Sequence, residues 1–328
     1  MPIRGISREW AKTLFSVPSV TLWCVALRTM ELRTLTRKEK ITAYAAWGAV
    51  CLFWGTTYLA IRIGVRTIPP GLFGGLRFLT AGLIFLAYLK WRGHALPQRR
   101  ELLDVAVVGI ALLAISNGLV IWAEQWVPSS VTALLIATLP FWMAGFEAVL
   151  PAGERLRVRK VIGIVIGFSG LVILFTPEIE TALDMAYLRG ILALLFAPLC
   201  WAAGSVYSKS RPAKSHPLMA ASIEMIVAGI VLLLVGGMFG EWKRFSLDAE
   251  GLAATAYLII FGSIVGYGSF VYALAKLPAT KVSMYAYVNP VIAVLLGWLI
   301  LDERMDWSVI LATAVVLLGV VLVKSSKS

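Results

Sequence analysis

Charge is scarce in this 328-residue chain: Asp, Glu, Lys and Arg make up 15% of it, against about a quarter in soluble domains. Histidine is scarcer still, with His94 and His216 alone. The three cysteines, Cys24, Cys51 and Cys200, lie in apolar runs with no CxxC or Cys/His spacing. That leaves no metal or thiol-redox motif, and the cysteines read as buried small hydrophobes. No GxxxxGK[ST] occurs, which argues against ATP coupling within the chain. The clustered His, Asp or Cys that a membrane-embedded enzyme needs is missing from the apolar runs. We therefore expect no catalytic residue, no metal and no cofactor.

What the chain has in excess is apolar surface. Hydrophobic residues make up 59%, and the mean hydropathy is +0.84. A soluble protein of this size could not hide so much, and a disordered chain would not carry it. The same balance argues against a nucleic-acid partner despite a net charge of +12. The partner it implies is the lipid bilayer.

A helical span needs about 20 mostly apolar residues. Ten such runs stand between Pro, Gly and charge clusters: 43–64, 70–90, 103–123, 128–150, 159–176, 187–208, 217–238, 251–273, 279–300 and 307–324. They are too long for barrel strands and do not alternate polar with apolar. Residues 1–40 form a basic extension, expected to be disordered or interfacial. Its apolar stretch, Thr13–Leu27, has the length of a signal-peptide core, but Arg28 follows with no small-residue cleavage site. Met30 is an alternative start.

Counted by connecting segment, with the N-terminus inside, 23 of the 30 Lys and Arg fall on one side and six on the other, with Arg77 inside a span. The positive-inside rule predicts both termini cytoplasmic in a multi-pass plasma (inner) membrane protein.

The two halves repeat. At an offset of 147, Trp54 matches Trp201, Pro70 matches Pro217 and Ala81-Gly82 matches Ala228-Gly229. At 150, Gly118 matches Gly268, Pro128 matches Pro278 and Pro140 matches Pro290; at 149, Glu154-Arg155 matches Glu303-Arg304. Five spans per half is an odd number, so the second half enters the membrane inverted. The expected fold is all-α integral membrane, ten transmembrane helices in two inverted five-helix repeats, 43–176 and 187–324. Such pairs are common in secondary transporters, whose substrate sites lie at the repeat interface near the midplane.

Several pieces, in their order and spacing, resemble the drug/metabolite transporter superfamily, specifically its EamA-type exporters of amino acids and related metabolites. They are Phe53-Trp54-Gly55-Thr56-Thr57-Tyr58, Pro69-Pro70 with Leu76-Arg77-Phe78, Pro140 with Gly153-Glu154-Arg155-Leu156, Pro278-Ala279, Asn289-Pro290-Val291 and Leu301-Asp302-Glu303-Arg304. The resemblance covers about residues 43–323. It implies a central cavity open alternately to each side, walled mainly by helices 1, 3, 4, 6, 8 and 9, with helices 5 and 10 at the periphery. Two departures matter. The N-terminal extension lies outside the family core, and the family-type Arg at position 77 is answered in the second half by Glu224.

Arg77 and Glu224 each lie about seven residues into a span. A charge at depth costs several kcal/mol unless paired or hydrated. Either they line the path, Arg77 as a carboxylate contact and Glu224 as a proton or cation coupler, or each snorkels to its nearer surface. Pro140 and Pro290 read as symmetric kinks and hinge candidates, or as static bends. Asn117 and Asn289 either touch substrate or bond across helices. Trp54, Tyr58, Trp201, Tyr267 and Tyr285 suit an amphipathic or aromatic solute by stacking, or serve as packing bulk. Trp91, Trp126 and Trp242 read as interface residues.

Gly163, Gly167 and Gly170 permit close helix approach, more often within one chain than in a dimer; a monomer or weak homodimer is expected. The two Glu-Arg pairs read as helix-end caps in preference to gates. The expected function is export of small amphipathic metabolites by alternating access. The alternatives are a structural or regulatory membrane protein and a membrane enzyme.

Overall fold

The computed structural model describes residues 35–149, 158–175, 184–211, 213–277, 282–303 and 305–325. Contacts divide the chain into two compact units, Met1–Lys40 and Ile41–Ser328. Of the first, Thr36 and Glu39 form a reciprocal N-terminal cap. The Glu39 amide donates to Thr36 Oγ1 at 3.2 Å, and the Thr36 amide donates to Glu39 Oε2 at 3.0 Å. Helix therefore begins at Arg37, six residues before the predicted span and within the predicted extension. The rest of that extension, with Cys24 and Met30, lies outside the described residues.

Every regular element among the described residues is helical. α1 is Arg37–Gly64 and α2 is Pro70–Trp91; α3 is Arg99–Ala123. α4 (Ser129–Ile136) and α5 (Leu139–Val149) follow, then α6 (Val158–Phe175). α7 is Met185–Ser210, α8 is Pro217–Met238 and α9 is Ala249–Lys276. α10 (Tyr285–Leu301) and α11 (Trp307–Ser325) end the chain. Six of these, α1, α2, α3, α7, α8 and α9, are long and apolar enough to cross a membrane. The other four predicted spans fall on shorter apolar helices: Ser129–Met143, Val161–Gly170, Tyr285–Leu301 and Trp307–Leu322.

The fourth predicted span is broken. A turn at Ala137-Thr138 separates α4 from α5, so Pro140 sits in the first turn of α5 and not mid-helix. Proline lacks a donor and is tolerated there, which accounts for the break. Pro290 does lie inside its helix, and so does Pro198 of α7.

Matching features recur across the halves. α2 and α8 each open on a proline, and each is followed by a glycine with positive φ, Gly93 (82°) and Gly240 (67°). Both α3 and α9 widen into π-helix, over Ile110–Asn117 and Leu258–Tyr267. Such widened turns are rare and concentrate at functional sites.

Glycines let α2 meet α8 backbone to backbone. A Cβ on Gly82 would lie 2.8 Å from the Ile226 nitrogen, and one on Gly229 would lie 2.7 Å from Leu79 Cα. α6 meets α11 likewise: Gly170 lies against the Ala312 carbonyl and Val316, and Gly319 lies against Gly163 and Gly167. The small-residue stripe of α6 is thus occupied within the chain. Side chains of α6 such as Val158, Val161 and Val165 remain exposed, as expected of a peripheral helix.

Carboxylates tie some helix starts. Glu303 accepts from the amides of Ser129 (2.8 Å) and Ser130 (3.1 Å) and from both their hydroxyls. Buried Glu241 accepts from the Leu72 amide at 3.0 Å. Negative groups belong at helix N-termini, where amides lack partners. Glu303 therefore behaves as the expected cap; Glu154, Arg155 and Arg304 lie outside the described residues.

Candidate functional site

Inside the bundle is a cavity of about 60 Å³. α1 supplies Trp54, Tyr58 and Ile61 to it, and α2 supplies Arg77. The π segment of α3 supplies Ser116 and Asn117, α7 supplies Pro198 and Trp201, α9 supplies Tyr267, and α10 supplies Tyr285. Seven residues singled out from the sequence thus meet around one space: Trp54, Tyr58, Arg77, Asn117, Trp201, Tyr267 and Tyr285. The volume holds a few waters. A metabolite the size of an amino acid would need the walls to part.

One wall is aromatic. Trp54 meets Trp201 and Tyr285 edge-on, with ring centroids 5.3 and 5.0 Å apart, and tilts against Phe270 at 5.2 Å. Its indole Nε1 donates to the Gly262 carbonyl at 3.1 Å. Glycine at 266 makes room for that ring, since a Cβ there would lie 2.6 Å from the indole nitrogen. Edge-to-face pairs of this kind hold ring orientation as well as bulk.

The opposite feature is charge. Arg77 is 3% exposed, so it does not snorkel to a surface. Its Nε donates to Ser263 Oγ at 2.9 Å, while Nη1 is buried with no partner. A guanidinium with a free donor at a cavity wall is a ready contact for a carboxylate.

Glu224 lines a second cavity, of about 150 Å³, together with Glu101, Asp104, Lys209 and Arg211. It is 5% exposed and accepts from the Tyr267 hydroxyl at 2.6 Å. Tyr267 lines both cavities, so its ring and its bond to Glu224 form the partition between them.

Asn289 lines neither. It is 2% exposed, and its amide, turned to donate, reaches the Cys51 carbonyl at 3.0 Å and the Tyr285 carbonyl at 3.1 Å. It binds α1 to α10. Of the expected interface residues, Trp91 (80% exposed) and Trp242 (56%) are well exposed and Trp126 is borderline.

Ser263, Phe270 and Glu124 were not anticipated. Pro198, in the same position relative to its span as the prolines that were, could have been found by the same rule. Ser116 Oγ donates to the Ala197 carbonyl beside it at 2.7 Å.

These features define a multi-pass helical membrane protein with an internal polar and aromatic cavity. The EamA-like transporter family profile matches residues 41–176 and 188–325, and the chain belongs to that family. It is 37% identical over 291 residues to a protein of Escherichia coli (strain K12) named "Uncharacterized inner membrane transporter YedA", covering 88% of this chain and 93% of that one. It is 29% identical to "Uncharacterized transporter YoaV" of Bacillus subtilis (strain 168), covering 83% and 93%. A solved structure described only as "Crystal structure of protein" superposes with a TM-score of 0.65 at 24% identity, covering 86% of this chain and 96% of that one. It shares the fold.

Proposed function

We propose that the protein is a secondary transporter that exports small amphipathic metabolites, amino acids or related carboxylates, across the inner membrane by alternating access. The observation that carries this reading is that Arg77, with a buried Nη1 lacking a hydrogen-bond partner, lines the same cavity as Trp54, Trp201 and Tyr285. One end of such a solute would meet a guanidinium and the other an indole.

Alternation needs two routes to one site. The second cavity approaches Tyr267 from the end of the bundle bearing Glu101, Asp104 and Arg211. The first lies on the far side of that ring. We place the first group on the cytoplasmic side, following the lysine and arginine count. Glu303 on the start of α4 closes the other end. Opening that end would require the cap to let go, with Pro290 and the break before Pro140 as flexing points. The ten-span topology, with two inverted repeats, both termini cytoplasmic and a basic 1–40 extension, fits the doubled family match and the matched π segments and glycine contacts.

The test is counterflow in proteoliposomes with a panel of amino acids and their amides. We expect carboxylate-bearing aromatic solutes to exchange and their amides to exchange far less. Exchange no faster than through protein-free vesicles across the panel would overturn the reading.

A further inference from the structure

We propose that Glu124 is a proton-binding site linked to Arg77, so that a proton on Glu124 frees Arg77 to take a solute carboxylate. The linkage to solute rests on the transporter reading above; the proton site does not.

Glu124 directly follows α3 and is 0% exposed, yet neither of its carboxyl oxygens has a hydrogen-bond partner. The charged and titratable groups that act on it electrostatically come from three elements. α1 supplies Arg62 and the Tyr58 hydroxyl, α2 supplies Arg77, and the segment after α10 supplies Glu303. Arg66 acts in turn on Arg62. α7 closes this end with Gly190, packed on Val127 and the Ala123 carbonyl.

Arg62 does not bond the carboxyl. Its guanidinium donates to the main-chain carbonyl of Glu124. Glu303 is engaged by Ser129 and Ser130. A buried carboxyl and the Arg77 Nη1 therefore lie within electrostatic reach, and each is without a hydrogen bond.

An ionised carboxylate left this way would bear a large desolvation cost with no hydrogen bond to offset it, and only the charges of Arg62 and Arg77 set against it. A proton removes that charge and leaves Arg77 uncommitted. When the proton leaves, the carboxylate attracts Arg77 and competes with the solute carboxylate for its guanidinium. No bond other than O–H forms or breaks, and the proton comes from water. Proton and solute then bind together and travel in the same direction. Export runs down the solute's own gradient and carries acid out with it.

Two measurements on the purified full-length chain test this. The first needs no solute. Infrared difference spectra near neutral pH should show a buried protonated-carboxyl stretch that E124Q loses and E124D retains at a shifted frequency. A spectrum unchanged in E124Q would overturn the assignment. E124D also guards against misfolding, because a folded Asp variant must keep a titrating band.

The second is L-phenylalanine counterflow against pH. On the alkaline side, wild-type exchange should fall by up to about ten-fold per pH unit, the limit for one linked proton. E124Q should exchange at a rate independent of pH. A pH-dependent E124Q would overturn the linkage. Absence of counterflow in the wild type, with the infrared band present, would instead remove the transporter reading and leave the proton site standing.

Discussion

Arg77 in α2 and Glu224 in α8 stand 147 residues apart, at matching places in matching helices, and the surroundings treat them differently. Both are buried and both are held by α9, whose π segment supplies Ser263 to one and Tyr267 to the other. Four residues separate those partners, about one turn. The glutamate is satisfied by a single strong bond and closes a partition. The arginine keeps a nitrogen in reserve and faces the cavity. A duplicated scaffold thus carries unlike chemistry on its two sides, and the helix between them sorts the two charges into two cavities.

The largest effect should come from breaking what the halves share. Gly229→Val places a Cβ on the backbone of Leu79 with nothing flexible to yield. We expect destabilisation of about 3 kcal/mol or more, the upper end for overpacking, read as loss of monodisperse protein or a collapsed melting temperature. Gly48→Ala, where a Cβ meets nothing within 4 Å, should be neutral or stabilising by helix propensity. Equal behaviour of the two variants would sink the claim that α2 and α8 depend on close backbone contact.

Next comes the difference itself. Arg77→Met should cost carboxylate-bearing solutes about 1.5–3 kcal/mol, or roughly 10- to 100-fold in exchange, the value of a hydrogen bond to a charged group. It should leave their amides nearly unchanged. A uniform loss across both solute types would mean that Arg77 supports the fold and does not read the solute. Tyr267→Phe should act more weakly and differently. It strips Glu224 of its donor at about 1 kcal/mol, opens the partition and raises leak between the cavities for every solute alike.

Much of this was legible in the residues because the bilayer imposes simple rules. Run length placed the apolar segments, six of which are helices long enough to cross a membrane and four of which fall on shorter apolar helices. The cost of charge at depth singled out Arg77 and Glu224 before any coordinates. The aromatic candidates came from depth and resemblance, and they meet at one wall. What sequence could not show is where backbone hydrogen bonds shift register. The π segments of α3 and α9 turn Asn117, Ser263 and Tyr267 inward, and nothing in their apolar composition announces the change. For Asn289 the residues left solute contact and a bond across helices both open, and the choice depended on which carbonyls α1 presents across 238 residues of chain. Glu124 escaped notice because it stands where a span ends. A carboxylate there ordinarily faces water, and only the packing of α1, α2 and α7 around it removes the water.

The smallest effect concerns the other end of the matched helices. α2 begins after Pro69, which has no capping side chain, and its first turn is served by Glu241. α8 begins after His216, whose Nδ1 accepts from the Leu218 amide at 3.3 Å. That bond needs an unprotonated Nδ1. Partial burial, and secondly the neighbouring His94 ring 4.3 Å away, hold the His216 imidazole below its ordinary value. The folded state therefore prefers the neutral ring, while the unfolded chain takes up a proton below about pH 6.5. The stabilising contribution is complete above that pH and is lost as pH falls through the depressed native value. His216→Asn keeps a good capping side chain and removes the titration. The melting temperatures of wild type and variant should differ by a constant amount above about pH 7. Below pH 6 the difference should move in favour of the variant, by less than about 1 kcal/mol because the site is largely exposed. A difference that stays flat across the range would show that the two halves begin their second helices in the same, pH-indifferent way.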